Sequence, residues 1–252
     1  MVNQTAVAET PSAGWNRFYK LGGAAAIAIV VLYVIETIGV VAMGPPPATV
    51  DDWFTLFRNH GVLGLFDAYL LDAFAVALMV PLFLALYAAL GRANRAYVTL
   101  ATALAFVGVA VFLTTNISFS MFYLSSQYAA ATTDAQRSLF MAAGQAMVSI
   151  SIEHGTGAYM GLLLIAVAGL TVSVVMLRVG TFGKVAACAG ILANALQLAE
   201  PPVVLVPADF YQNIGFLLIV TSFLFFAVWY VLIARTLFRL GRLEGEAIPQ
   251  PQ

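Results

Sequence analysis

An acid and an imidazole stand side by side at Glu153-His154, ahead of Gly155-Thr156-Gly157 and a long apolar run from Ala158 to Leu177. Such a pair could relay a proton, bind a metal, or serve as the base for a hydroxyl, with Ser118, Ser120, Ser149 and Ser151 available. The spacing restricts each of these. Adjacent residues on a helix point about 100° apart, so Glu153 and His154 do not readily grip one ion together. His60 is the only other histidine, and neither H-x-x-x-H nor H-E-x-x-H occurs. A haem held by His60 and His154 would need His60 within the membrane, whereas its place in the chain is at headgroup level. No G-x-S-x-G surrounds a serine. No phosphate-binding loop or dinucleotide fingerprint is present. Cys188 is the single cysteine, which excludes an intrachain disulfide and a cysteine-based metal cluster. We therefore expect no catalytic set, no metal centre and no cofactor.

The elements that position these groups are set by composition. The 252 residues are 62% hydrophobic and 9% charged, with mean hydropathy +0.94. A soluble domain carries roughly 25% charged residues, so this surface requires lipid as its solvent. The net charge of −1 and the lack of a basic stripe exclude nucleic acid as a partner.

A helix crosses the hydrocarbon with roughly 20 apolar residues. Six stretches meet that length: Leu21–Met43, Val62–Leu90, Tyr97–Tyr123, Val148–Leu177, Phe182–Val206 and Phe210–Leu237. The predicted fold is an all-α, six-helix transmembrane bundle over residues 20–243. Residues 1–19 form a polar, disordered N-terminus and 244–252 a tail. Leu21–Met43 is too long for a signal-peptide core and reads as a retained first span.

Charge tests this count. With six spans, one side receives Arg17, Lys20, Arg92, Arg95, Arg178, Lys184, Arg235, Arg239 and Arg242; the other receives Arg58 and Arg137. This asymmetry places both termini in the cytoplasm, in a protein of the plasma membrane. Between spans one and two, Thr49 and Asp52 are spaced as a capping box. Val50, Trp53, Phe54 and Phe57 then fall on one helical face, which predicts an interfacial helix with its aromatics at headgroup level. Thr133 and Gln136 repeat the capping pattern ahead of a helix that runs toward span four, with Gly144 and Gly155 as places to bend.

The hairpin Leu86-Tyr87-Ala88-Ala89-Leu90-Gly91-Arg92-Ala93-Asn94-Arg95 and the turn Arg178-Val179-Gly180-Thr181-Phe182-Gly183-Lys184, followed by Ala189-Gly190-Ile191-Leu192, form a pattern together with Asp67. It resembles a prokaryotic family of six-span membrane proteins of unknown function, over roughly Leu21 to Leu240. Gly183-Lys184 stands where that pattern would carry a proline. The resemblance implies a six-helix fold and brings no activity and no functional residues.

Ionisable groups inside spans cost about 2.5–3.5 kcal/mol at the centre on insertion scales, and so mark candidate sites. At ~1.5 Å rise per residue, Glu36 stands about 24 Å and Asp72 about 27 Å from the cytoplasmic end. Asn116 and Asn213 follow at about 30–33 Å, and Asp67, Glu153, His154 and Glu200 at about 35 Å. All the intramembrane acids fall in the outer half. Asn194, Gln197 and Glu200 step by three and would share a face. Asp67 and Asp72, about 140° apart on a continuous helix, would not. Pro81 should kink span two just below the acids. Gly157 and Gly161 form a small-x-x-x-small pair suited to close helix packing. The expectation is an outward-facing polar pocket that binds a small molecule or supports a structural or regulatory role. A transporter of protons or small solutes is the alternative, and a metal-dependent hydrolase is the weaker third. Expected partners are the bilayer, a small ligand, and a second copy or another membrane protein.

Overall fold

The computed structural model describes residues 15–43, 47, 49–67, 69–150, 156–200, 214 and 216–246. Those residues form helices and turns, with no strand among them. α1 spans Trp15–Met43, and its buried stripe of Ala25, Ala26 and Ile29 continues at helical spacing through Tyr33 and Glu36. In lipid, a backbone that hydrogen-bonds within its own segment is the economical solution, which is why such apolar runs become helices.

α2 is Val50–Asn59, capped as expected: the Asp52 amide donates to Thr49 Oγ1 at 3.2 Å. Its apolar face is taken up by protein, however, and not by headgroups. Val50, Trp53, Phe54 and Phe57 are buried against Ile117, Met121 and Val148 in a cluster separate from the main core.

The second apolar stretch is three helices instead of one: α3 (Gly61–Asp67), α4 (Leu70–Ala77) and α5 (Met79–Leu90). Tyr69 stands between α3 and α4 at φ 63°, a left-handed conformation that a bulky residue rarely adopts. The second break falls at Leu78, immediately after Ala77. Pro81 has no N–H to donate to the Ala77 carbonyl, so the break falls where that bond is missing. The expected 140° relation between Asp67 and Asp72 does not hold, because they end one helix and open another.

The third stretch also divides, into α6 (Arg95–Thr114) and α7 (Ser118–Ala130). α8 (Asp134–Ile150) begins at the second capping box, with the Gln136 amide 3.2 Å from Thr133 Oγ1. α8 runs through Gly144 without interruption; a Cβ there would reach Phe54 Cζ at 3.0 Å, so this glycine admits α2. Gly155 lies outside the described residues.

α9 is Thr156–Val179, α10 Lys184–Ala199 and α11 Phe216–Glu246. α10 is shorter than the fifth stretch, and Glu200 has left the helix in an extended conformation. α11 carries the cluster of Arg235, Arg239 and Arg242 within its helical end.

Packing closes these helices into a ring. α1 meets α4 and α5, α5 meets α6, α6 meets α9, α9 meets α10, α10 meets α11, and α11 returns to α1. The main core fills the ring, with Leu82, Leu86, Trp229, Ile233 and Leu237 among its fully buried side chains. α2, α7 and α8 form a cap beyond one end.

Candidate functional site

Of the polar residues singled out in the sequence, two acids are brought together across helices. The carboxyl groups of Glu36 of α1 and Asp72 of α4 lie within hydrogen-bonding reach of each other. A bond between two carboxyls needs a proton on one of them, since an ionised carboxylate only accepts. Both side chains are partly buried. Tyr33, one turn before Glu36, lies within electrostatic reach of Glu36, Asp72 and Tyr230 of α11. Its ring also meets Phe223 edge-on at 6.1 Å between centroids. The site therefore draws on three helices. α4 can deliver Asp72 toward α1 because it starts afresh after Tyr69.

Among the described residues no cationic side chain forms an ion pair with Glu36 or Asp72. No three of His, Cys, Asp and Glu gather into a metal-binding group there either. Glu153, His154 and Asn213 lie outside the described residues, as does the side chain of Asp67.

Asn116 has a backbone role. It sits in the break between α6 and α7, where its Nδ2 donates to the Tyr69 carbonyl at 2.9 Å and its Oδ1 accepts from the Ser118 amide at 3.1 Å. The interruptions of the second and third stretches thus stand side by side, and one side chain serves both.

Asn194 is buried in α10 and donates to the Gly190 carbonyl at 2.7 Å. It belongs to a tight node between α9, α10 and α11. A Cβ on Gly169 would collide with the Asn194 amide, and one on Gly190 with Ser173 Oγ and Trp229 Nε1. Ser222 of α11 donates to the Ala193 carbonyl at 3.2 Å. Gln197 and Glu200 do not join this node. Gln197 is partly buried in the last turn of α10, and Glu200, beyond that turn, accepts at its carbonyl from the Tyr159 hydroxyl at 3.4 Å.

Gly161 lies where two helices approach closely. A Cβ on Gly108 would stand 2.6 Å from the Gly161 carbonyl oxygen, and the reverse distance is 2.8 Å. α6 and α9 therefore cross backbone to backbone, the close approach that small residues permit between membrane helices. A Cβ on Gly157 would collide with the Thr115 side chain.

Tyr33, Tyr230, Ser173 and Trp229 were not singled out in the sequence. Tyr33 could have been found from its i, i+3 spacing to Glu36 on the buried stripe of α1. Tyr230 carries no local signal, because only the closure of α11 onto α1 brings it near.

Five apolar helices have the length and composition to cross a membrane: Trp15–Gly39, Leu70–Leu90, Arg95–Ala130, Gly157–Val179 and Leu217–Leu243. Fold and composition together define a helical membrane protein of the multi-pass class. No family model, no curated protein and no solved structure matches the chain.

Proposed function

We propose that the chain is a six-span membrane protein with both termini in the cytoplasm, and that its outer half binds a small cationic ligand at Glu36 and Asp72. The observation that carries this reading is the carboxyl pair itself, two acids that meet across α1 and α4 with no basic partner among the described residues. A cation that replaces the shared proton would meet two oxygen donors, with the Tyr33 hydroxyl close by.

The six-span count is supported by the ring. α10 has 16 residues, about 24 Å at ~1.5 Å per residue, and is shorter than a ~30 Å core. It nevertheless packs between α9 and α11 as a member of the ring. The two-sided charge pattern supports the orientation.

A thermal-shift series on the purified protein with sodium, potassium, calcium, methylammonium and choline tests the site. We expect one of these cations to raise Tm in the native protein and to lose that effect in both Glu36→Gln and Asp72→Asn. If none stabilises, or if both variants respond like the native protein, the pair is an interhelical bond only. Orientation is tested in a Cys188→Ala background by labelling with a membrane-impermeant maleimide. Ser126→Cys should react from outside and Arg92→Cys should not.

A further inference from the structure

At the end of the ring opposite the cap, four separate parts of the chain converge on one cleft of about 560 Å³. Trp15 and Tyr19 come from the start of α1. Tyr87, Gly91, Arg92 and Arg95 come from the α5–α6 turn, Thr181 from the α9–α10 turn, and Leu240 from the end of α11. The lining contains two guanidinium groups and no carboxylate. Neither Arg92 nor Arg95 makes an ion pair or hydrogen bond among the described residues. Arg95 also opens α6, whose cap residue Asn94 makes no side-chain bond to the first turn. The positive end of that helix dipole therefore adds to the field of the two arginines.

Two unpaired guanidiniums beside one cleft repel each other and persist most readily where an anion completes them. Arginine suits phosphate in particular, because its planar fork can donate two parallel hydrogen bonds to it. The other walls fit a lipid: Trp15, Tyr19 and Tyr87 are residues of the kind that gather at headgroup level, and Ala88, Ala89 and Leu240 are apolar. Basic pockets at helix ends on the cytoplasmic side are suited to anionic headgroups. We propose that this cleft binds a phosphate group, carried by the headgroup of an anionic phospholipid, between Arg92 and Arg95. The inference rests on the membrane assignment and the proposed orientation, but not on the carboxyl pair at Glu36 and Asp72.

The test uses the full chain, by native mass spectrometry of lipid titrations and by thermal shift in nanodiscs of phosphatidylglycerol or phosphatidylcholine. We expect phosphatidylglycerol, and not phosphatidylcholine, to bind and to raise Tm. Each arginine removed, as Arg92→Gln or Arg95→Gln, should weaken binding about fivefold, the change expected for one basic residue near an anionic surface. Arg58→Gln, on the cap, should leave binding unchanged. Inorganic phosphate is titrated separately. Stabilisation by phosphate at least as strong as by the lipid would keep the phosphate site and assign it to a soluble ligand. Equal binding of both lipids, or undiminished binding in Arg92→Gln and Arg95→Gln, overturns the proposal. Arg92→Lys and Arg95→Lys keep the charge without the fork. They should bind with intermediate strength, which separates a phosphate contact from a loss of folding.

Discussion

The Asn116 side-chain amide donates to the Tyr69 carbonyl at 2.9 Å and so ties two helix breaks to each other. Tyr69 interrupts the second apolar stretch and Asn116 the third. Each break frees backbone groups that lipid could not satisfy. A single asparagine serves both sides, as its Oδ1 takes the Ser118 amide at the start of α7. Asn116→Ala leaves these groups without partners, at about 1–3 kcal/mol each if they stay buried. We expect a lower Tm in detergent and faster amide exchange at the start of α7. Unchanged stability and exchange would show that water or other side chains already serve the breaks.

Glu36 and Asp72 are open to a double-mutant cycle. Membrane interhelical hydrogen bonds average about 0.6 kcal/mol and reach about 1.7. Glu36→Gln, Asp72→Asn and the double variant, unfolded in mixed micelles, should give a coupling energy in that range. A coupling of zero would remove the pair from the account of how α1 meets α4.

The α6–α9 crossing has no room for a side chain. Gly108→Val and Gly161→Val each force a Cβ against the opposing backbone. Overpacking of this kind costs about 1–3 kcal/mol, and more where backbone must shift. Both variants should lower the unfolding midpoint, whereas Gly180→Asn, in an open turn at φ 76°, should change it little. Equal tolerance at all three positions would contradict the close approach.

Trp53 distinguishes a cap packed on protein from a helix lying among headgroups. It is 2% exposed. In a variant with Trp15 and Trp229 replaced by Phe, brominated lipids should quench its fluorescence poorly. Strong quenching would return α2 to the membrane interface. Trp53→Ala should cost about 3–5 kcal/mol of local stability, seen as loss of amide protection in α2 and α7.

The helical class was legible because hydropathy acts over long windows. The caps of α2 and α8 were legible because Thr49…Asp52 and Thr133…Gln136 are local chemistry. The amphipathic face of α2 was visible too, but not its partner. A buried face looks the same in sequence whether lipid headgroups or Met121 and Ile117 cover it. The helix breaks at Tyr69 and Asn116 were hidden for a different reason. Tyr69 carries no turn signal by type, and Asn116 is a single turn-favouring residue in a long apolar run. Of the proposed polar layer, the relation of Glu36 to Asp72 depended on the fresh start of α4 after Tyr69. The stepped face of Asn194, Gln197 and Glu200 ended early because Glu200 had already left the helix.

The return of α11 to α1 also bears on the order of assembly. Domains form from the N-terminus as the chain is made, and contacts distant in sequence pay their loop-closure cost late. Before α11 is synthesised, the faces of α1 and α10 that it covers are open to lipid or to other proteins. Ser222 and Tyr230 have by then not reached their places beside Ala193 and Tyr33. The node at Gly190 and the surroundings of the carboxyl pair are therefore completed by the same late event. A chain interrupted ahead of α11 would finish neither.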